Sequence, residues 1–244
     1  MVKIIAIVQA RMGSTRLSGK VLKKILGKPM LFHEIERVSR AKKIDDIVIA
    51  TTELPQDDKI ISLCKENSWN YFRGSEDDVL DRYYKAASAF HADVVVRITA
   101  DCPLIEPELI DKIINVFLEN MPHIDFVSNS LPVQTFPRGL DAEVMSMAAL
   151  KKAWLEDKNP RWREHVTTYI ERNPTKFIIK GFTHTENLSK LRWTVDMPED
   201  LKFVRKIYNF FKNNQFSWND VLDLLKQHPE YLKINRHIHQ KILI

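Results

Sequence analysis

Short aliphatic runs alternate with amphipathic stretches through the first half of this chain. The aliphatic runs lie at residues 4–8, 47–50 and 94–98, and the stretch between the first two carries apolar residues at helical spacing. Aliphatic strands that alternate with helices form a parallel sheet whose two faces are covered by those helices. The sequence therefore predicts an α/β fold with a mixed, mostly parallel sheet. Ligands of such sheets bind beyond the carboxyl ends of the strands, so the residues that follow these runs are candidate site residues.

The remaining pattern predicts further elements of the same core. The predicted helices lie at 57–66, 77–90, 162–172, 198–212 and 218–227, and the predicted strands lie at 70–72, 140–144, 177–182 and 191–195. Ser217 is a predicted N-cap, because its hydroxyl can accept a hydrogen bond from the first turn of the last helix. No internal repeat or clear linker interrupts the sequence. We predict a single domain over 1–244, with 212–244 as a C-terminal helical extension.

Composition limits the class of protein. Of the 244 residues, 44% are hydrophobic and 28% are charged, which is typical of a globular chain that buries a core. Cys64 and Cys102 lack metal-ligand spacing, so we expect free thiols in a reducing compartment. His237 and His239 have no further ligands in the C-terminal tail, so no metal site is predicted there. The N-terminal apolar run is too short for a signal peptide or a membrane span. We expect a cytoplasmic protein without a membrane partner.

The formal net charge of +5 permits nucleic acid, membrane surfaces or small anions as partners. Much of the excess comes from lysines scattered along predicted helices, which is typical of a solvated face. The sequence lacks a basic stretch interleaved with aromatic residues, which binders of single-stranded nucleic acid use for stacking. We therefore expect no nucleic-acid partner and favour a small anionic ligand.

The loop after the first strand carries three cations, two glycines and several hydroxyl groups in the sequence QARMGSTRLSGK at residues 9–20. Glycines allow backbone N–H groups to approach a ligand closely, and Arg and Lys side chains bind phosphate oxygens. Such a loop beyond a strand end is suited to a triphosphate, although a solvated basic loop can have the same composition. The loop contains neither the P-loop pattern nor the glycine pattern of dinucleotide sites.

This loop resembles the signature loop of the cytidylyltransferase family, which includes the CMP-sialic acid and CMP-Kdo synthetases. Within the family, the loop is most similar to that of the spore coat polysaccharide biosynthesis protein F group. That group usually has proline at the position of Ser18. The similarity extends through Asp200. It implies a Rossmann-like nucleotide-diphospho-sugar transferase fold. It also implies an enzyme that transfers CMP from CTP to an acidic sugar and releases pyrophosphate, in surface polysaccharide or glycan biosynthesis.

Two aspartates lie in motifs that resemble those of the family. Asp101 begins an Asp-x-Pro-Leu motif, and Asp196 lies in the segment VDMPEDL at 195–201. From the residues alone, each could instead be a turn or cap residue, and Glu199 and Asp200 would then complement a helix dipole. The resemblance implies that both Asp101 and Asp196 are catalytic and bind Mg²⁺, whose preferred protein ligands are carboxylate oxygens.

The resemblance also implies a set of nucleotide contacts. The predicted nucleotide-binding residues are Ala10, Arg11, Gly13, Ser14, Arg16, Gly19, Lys20, Arg73, Ser75 and Thr99. Lys20 and Arg11 belong to the predicted catalytic set as well. Arg73 and Ser75 are assigned to the base and ribose, although Ser75 could equally be an N-cap. Thr99 departs from the glutamine that helps to hold cytosine in some relatives.

The acceptor sugar is assigned to the second half of the chain. The segment that begins at Arg138 resembles the acceptor segment of the family, and on a strand Asp141 and Glu143 would point to the same face. That face could line a pocket or be exposed to solvent. His165 is a further predicted sugar contact, although a lone histidine on an amphipathic helix is more often structural. Relatives imply a possible homodimer.

Two other functions remain open from the sequence. A glycosyltransferase would share the α/β fold and a metal-binding carboxylate. Its nucleotide-sugar donor has no free triphosphate tail, however, which leaves Arg11, Arg16 and Lys20 together without an explanation. A nucleotide-binding module without catalysis would have no need of both Asp101 and Asp196.

Overall fold

The computed structural model describes residues 2–238. Residues 239–244 of the predicted extension, with His239, lie outside the described residues. The strands are β1 (Ile4–Gln9), β2 (Lys24–Ile25), β3 (Lys28–Pro29), β4 (Asp46–Thr52), β5 (Asn70–Gly74), β6 (Val94–Thr99), β7 (Phe126–Ser128), β8 (Glu143–Ser146) and β9 (Ile179–Gly181). The helices are α1 (Met30–Val38), α2 (Asp58–Glu66), α3 (Val79–Ala89), α4 (Pro107–Glu119), α5 (Met147–Glu156), α6 (Pro160–Arg163), α7 (Thr168–Glu171), α8 (Pro198–Phe211) and α9 (Trp218–Gln227). Between positions 2 and 238, no helix is long and apolar enough to cross a membrane.

Seven strands form one sheet in the order β5-β4-β1-β6-β8-β7-β9, and β2 and β3 form a separate hairpin. The strands β5, β4, β1 and β6 run parallel, whereas β8 is antiparallel to both β6 and β7. The predicted mixed, mostly parallel sheet is confirmed. Gln9 at the end of β1 pairs with Ala50 of β4 on one side and with Thr99 of β6 on the other. The loops that follow β1 and β6 therefore leave the same edge of the sheet.

The side chains of β1 alternate between two apolar cores. Ile4, Ala6 and Val8 face the core that α1, α2, α4, α8 and α9 cover, and Ile5 and Ile7 face the core that α3 and α5 cover. Burial of one such aliphatic side chain contributes about 1.5–3 kcal/mol to folding. The aliphatic run at the start of the chain is thus buried on both faces, which explains why it is continuous rather than alternating with polar residues.

The predicted strand and helix at 140–144 and 162–172 have other bounds in the structure. The predicted strand at 140–144 begins later, at Glu143. The predicted helix at 162–172 is divided into α6 and α7, because Val166 between them has a φ of 58°, a left-handed conformation that cannot continue a right-handed helix. The helices α4 and α5 and the strand β7 were not predicted.

The predicted strand at 191–195 is wrong. This segment forms one isolated parallel bridge, between Arg138 and Arg192, and one main-chain contact with Asp101. Trp193 N donates to Arg138 O at 2.7 Å, and Val195 N donates to Asp101 O at 2.8 Å. The apolar residues of this segment alternate because Trp193 and Val195 are buried in the core, and not because the segment is a strand of the sheet.

The C-terminal extension shares the core of the domain. The Ser217 hydroxyl accepts a hydrogen bond from Asp220 N at 3.2 Å, which confirms the predicted N-cap of α9. Arg37 of α1 is fully buried and donates to the main-chain oxygens of Asn214 at 3.3 Å and Phe216 at 3.0 Å. Buried carbonyl groups need such partners, so the arginine ties the start of the extension to the first half of the chain.

Candidate active site

The loop after β1 is held in place by main-chain contacts. Met12 N donates to Asp57 Oδ1 at 2.6 Å, and Asp57 is fully buried. Gly19 N donates to Met12 O at 3.1 Å. Gly19 has a φ of 63°, a left-handed conformation that favours glycine. The loop therefore turns back on itself, and Lys20 begins a short 3-10 helix beside the strand ends.

Lys20 bridges the two predicted metal ligands. Its ammonium donates to Asp101 Oδ2 at 2.8 Å, to Asp196 Oδ1 at 3.0 Å and to Val195 O at 2.9 Å. Burial alone would lower the pKa of Lys20, but the two carboxylates outweigh burial and raise it. A permanent positive charge therefore lies between Asp101 and Asp196.

Asp101 lies just beyond the end of β6 and is held as a carboxylate. Its Oδ1 accepts a hydrogen bond from the Thr99 hydroxyl at 2.7 Å. Burial would raise the pKa of Asp101, but the Lys20 ammonium and the hydrogen bonds lower it below the usual value. The Thr99 side chain, a predicted nucleotide contact, thus donates to a carboxylate of the site.

Asp196 is held by arginines from two parts of the chain. Arg16 contacts its Oδ1 at 2.8 Å, and Arg192 contacts its Oδ2 at 3.0 Å. Arg192 also binds both oxygens of the fully buried Asp200, at 2.9 and 3.0 Å. Asp200 accepts in addition from the main-chain N–H groups of Asp196 and Met197, each at 3.0 Å. The capping carboxylate of α8 is therefore Asp200 and not Asp196, which corrects the alternative that Asp200 only complements the helix dipole.

A fourth acidic residue lies beneath the site. Glu34 of α1 is fully buried, and its Oε2 accepts a hydrogen bond from Cys102 N at 3.1 Å. Burial, together with the nearby Asp101 carboxylate, raises the pKa of Glu34 well above its usual value. Burial of Glu34 beside Asp101 therefore favours its protonated form, which carries no negative charge. No sequence pattern points to Glu34, because a single acidic residue on an amphipathic helix is usually exposed.

Two adjoining cavities share these carboxylates. The first, of about 240 Å³, is lined by the loop after β1, with Lys20, Thr99, Asp101 and Asp196. The second, of about 570 Å³, shares Arg11, Arg16, Asp101 and Asp196 with the first and extends to Arg138. The arrangement can hold two ligands that meet at the carboxylates, one of them beside Lys20 and the other beside Arg138.

The two carboxylates converge on a single cation position. Asp101 Oδ2 and Asp196 Oδ1 both lie within 3.0 Å of the Lys20 ammonium, which shows that a cation fits between them. Among residues 2–238, no group of three or more His, Cys, Asp and Glu side chains could hold a metal ion. Mg²⁺ is commonly held by one or two carboxylates, with waters and substrate phosphates as the other ligands. The two carboxylates could therefore supply two ligands of Mg²⁺, with phosphate oxygens as further ligands, once the Lys20 ammonium has left the position between them.

The sequence also matches the model of the cytidylyltransferase family over residues 5–232. The match includes the cationic loop and both carboxylates of the site. The chain belongs to the cytidylyltransferase family.

Two relatives of this cytidylyltransferase are similar along almost its whole length. Uncharacterized protein MJ1063 of Methanocaldococcus jannaschii is 40% identical over 241 residues, which cover 98% of this chain and 97% of the relative. Spore coat polysaccharide biosynthesis protein SpsF of Bacillus subtilis is 32% identical over 238 residues, which cover 93% of this chain and 95% of the relative.

Solved structures show the same fold. A cytidylyltransferase from Leptospira borgpetersenii superposes with a TM-score of 0.93 at 34% identity, and the match covers 98% of this chain and 100% of that one. A CMP:2-keto-3-deoxy-manno-octonic acid synthetase complexed with CTP superposes with a TM-score of 0.65 at 17% identity, over 85% of this chain and 98% of that one. The second likeness is one of fold alone. Together these structures confirm the expected Rossmann-like nucleotidyltransferase fold.

In this cytidylyltransferase, most of the predicted nucleotide contacts lie in one place. The predicted residues that line the 240 Å³ cavity are Ala10, Arg11, Gly13, Ser14, Arg16, Lys20 and Thr99. Gly19 shapes the turn of the loop. The half-exposed Arg11 contacts Glu76 Oε1 at 3.4 Å and Glu164 Oε1 at 3.8 Å, so its guanidinium is bound only weakly by the protein.

Arg73 and Ser75 lie elsewhere. The Arg73 guanidinium donates to Thr52 O at 2.9 Å and to Leu54 O at 3.1 Å, and it contacts Asp58 Oδ1 at 2.8 Å. The Ser75 hydroxyl accepts from the main-chain N–H of Asp78, the N-cap of α3, at 3.0 Å. Neither residue lines the two cavities at the carboxylates. The structure thus places both side chains in contacts that hold the ends of β4, β5 and α3.

The predicted sugar contacts are divided. Arg138, Asp141 and His165 line the 570 Å³ cavity. Asp141 accepts from the main-chain N–H of Gly139 at 2.8 Å, and burial raises its pKa. Glu143 instead forms an ion pair with Arg97 at 2.8 Å, and Arg97 is the member of this pair that lines the cavity. The sequence pattern of alternating side chains could not show this pairing, because it depends on the register of β6 against β8.

Proposed function

We propose that this protein transfers CMP from CTP to an acidic sugar and releases pyrophosphate, in surface polysaccharide or glycan biosynthesis. The observation that carries the proposal is the meeting of two cavities at the carboxylates of Asp101 and Asp196, with Lys20 at the smaller cavity and Arg138 at the larger one. Membership in the cytidylyltransferase family supports the reaction class. The names of two relatives support the substrate: one is a spore coat polysaccharide protein, and the other is a synthetase of a CMP-linked sugar acid complexed with CTP.

The chemistry required of the chain is mainly electrostatic. A sugar hydroxyl attacks the α-phosphate, and pyrophosphate leaves, so no protein nucleophile is needed. Arg11 and Arg16 bind the phosphates in the smaller cavity, and Lys20 stabilises the negative charge that develops during transfer. Asp101 and Asp196 are the residues that would hold Mg²⁺. When bound, Mg²⁺ supplies further stabilisation of charge on the phosphate oxygens.

The larger cavity is suited to the acceptor. Arg97 and Arg138 line its wall, and Asp141 lies at the same wall with a raised pKa. Guanidinium groups favour a carboxylate on the sugar, since they pair with it in a forked geometry. Asp141 and His165 can accept hydrogen bonds from sugar hydroxyls or donate hydrogen bonds to them. A cytoplasmic location and a homodimer remain predictions.

A pyrophosphate-release screen tests the function. The full chain is incubated with Mg²⁺ and each of the four common ribonucleoside triphosphates, crossed with a panel of acidic and amino sugars. We expect release that depends on both CTP and an acidic sugar. Pyrophosphate release with another triphosphate would contradict CTP as the donor. Activity only with a nucleotide-sugar, which liberates nucleoside diphosphate, would instead favour a glycosyltransferase.

A further inference from the structure

A buried carboxylate between β4 and α2 contacts the cationic loop at residues 9–20. Asp57 directly precedes α2, and its side chain is fully buried. Its Oδ2 accepts a hydrogen bond from the Thr52 hydroxyl at the end of β4, and its Oδ1 accepts from Met12 N at 2.6 Å. Asp57 lines neither of the two cavities at the carboxylates of the site. Any effect of Asp57 on a ligand is therefore exerted through Met12.

Met12 is the residue on which the cationic loop closes. Its main-chain oxygen accepts from Ser14 N at 2.9 Å and from Gly19 N at 3.1 Å. Lys20 directly follows Gly19, and its ammonium lies between the two carboxylates of the site. The place of the Met12 main chain therefore determines where both ends of the loop lie.

The charge of Asp57 does not favour an anionic ligand. A carboxylate behind a loop that binds phosphates repels them, because like charges repel. An ionised acceptor forms a stronger hydrogen bond with a main-chain N–H than a neutral acceptor does. The Asp57 carboxylate is thus suited to fixing the loop and not to attracting the ligand.

We propose that Asp57 is a positioning residue for the cationic loop and that it acts by accepting the N–H of Met12. The inference rests on the proposed binding of a triphosphate by this loop. Without the acceptor, the loop occupies its binding arrangement in only a fraction of the molecules. The apparent affinity for the nucleotide falls by that fraction.

The test compares dissociation constants of CTP, measured by calorimetry on the full chain with Mg²⁺. Asp57→Ala removes the acceptor, whereas Asp57→Asn keeps an acceptor oxygen and removes the charge. We expect Asp57→Ala to raise the dissociation constant about tenfold, the equivalent of one hydrogen bond, and Asp57→Asn to remain within about twofold of the wild type. The control is Asp45→Ala. Asp45 accepts from Ile4 N at 2.7 Å at the opposite end of β1, so its loss should leave the affinity for CTP unchanged.

Hydrogen exchange of residues 10–20 tests the same contact without a nucleotide. This segment should exchange faster in Asp57→Ala than in the wild type, and Asp57→Asn should restore the slower exchange. If Asp57→Ala does not fold, Thr52→Val and Thr52→Ser decide. Valine removes the hydroxyl that holds Asp57 Oδ2, and serine keeps it. We expect Thr52→Val to weaken CTP binding about threefold and Thr52→Ser to leave it unchanged.

Three results would overturn the role of Asp57. They are an unchanged affinity for CTP in Asp57→Ala, an equal loss of affinity in both Asp57 variants, and tighter binding in both. The last would show that the carboxylate acts through its charge alone. A wild type that does not bind CTP would contradict the proposed function itself. In that case, unchanged hydrogen exchange in Asp57→Ala would overturn the positioning role as well, and faster exchange would support it.

Discussion

The Lys20 ammonium occupies the point at which the two predicted metal ligands converge. Its contacts with Asp101, Asp196 and Val195 O satisfy all three of its hydrogens. Breaking a buried ion pair leaves an uncompensated charge. The Lys20 ammonium therefore also compensates the negative charges of Asp101 and Asp196 in the free enzyme. In the proposed reaction, the same charge is available to the phosphates that bind beside it.

Replacement of Lys20 should affect turnover more than binding. An interaction that is stronger in the transition state than in the ground state lowers turnover when it is removed. We expect Lys20→Met to reduce the single-turnover rate at saturating CTP by about a hundredfold to a thousandfold, with a smaller change in the dissociation constant of CTP. The control Lys24→Met removes an exposed lysine and should leave both quantities unchanged. A higher dissociation constant with an unchanged rate would make Lys20 a binding residue only.

The two carboxylates should be required for Mg²⁺. We expect Asp101→Asn and Asp196→Asn to lower turnover by about two orders of magnitude or more, because a carboxamide keeps the shape and loses the charge that attracts the metal. Circular dichroism should show a preserved fold. Asp58→Asn is the control, since Asp58 is exposed and pairs with Arg73 at the surface. Near wild-type turnover of both site variants at limiting Mg²⁺ would contradict the metal assignment.

At the scale of elements, the C-terminal extension reaches the site. Asn235 is buried and follows a short 3-10 helix at Pro229–Ile234. Its Nδ2 donates to Arg192 O and to Asp200 Oδ1, each at 2.9 Å. Arg192 in turn binds Asp196. A chain of contacts therefore leads from the extension to a predicted metal ligand, which makes Asn235 a positioning residue.

Removal of this contact should alter the metal requirement as well as stability. We expect Asn235→Ala to lower the free energy of unfolding by about 1–3 kcal/mol, because it leaves buried acceptors without a donor. It should also raise the Mg²⁺ concentration for half-maximal turnover, since Asp196 loses part of its support. Asn219→Ala, at an exposed position of α9, is the control. A loss of stability with an unchanged Mg²⁺ requirement would show that Asn235 is only structural.

At the scale of the whole molecule, both halves of the chain contribute to each of the two apolar cores, so the free energy of unfolding should depend on groups buried between them. His33 of α1 is such a group: its Nε2 lies 2.6 Å from Ile25 O, and its ring contacts Tyr208 of α8 at a centroid distance of 4.7 Å. Burial lowers the pKa of His33 below its usual value of 6.5. His33 is therefore neutral in the folded chain at pH values where it is protonated in the unfolded chain.

This histidine should make stability depend on pH. The unfolded chain binds the additional proton, so the contribution of His33 to stability is full above the unfolded pKa and is lost as the pH falls toward the folded pKa. We expect His33→Gln to show a smaller loss of unfolding free energy between about pH 7.5 and about pH 5.5 than the wild type, by urea denaturation. His123→Gln, at an exposed position, should match the wild type. An equal pH dependence in all three proteins would exclude His33 as the source.

The sequence by itself determined the strands and the candidate site residues that can be identified from neighbouring positions along the chain. The aliphatic runs of β1, β4 and β6 predict a covered sheet because burial on both faces leaves few polar positions. The loop at residues 9–20 carries its cations and glycines close together in the sequence. Anion binding by this loop could therefore be predicted without knowing which other residues lie beside it. Asp101 follows a buried strand, and its place at the sheet edge follows from the same pattern.

Only the tertiary structure decided which charges meet. Lys20 is separated by 81 residues from Asp101 and by 176 from Asp196, and no local pattern relates positions so far apart. The same holds for the pairing of Glu143 with Arg97, for the buried Glu34 and for the contacts that bind Arg73. Hydrophobic periodicity reports whether a side chain is buried, whereas the identity of its partner depends on strand register and helix packing. The residues of the site could thus be proposed from their chemistry, but their pairings required the fold.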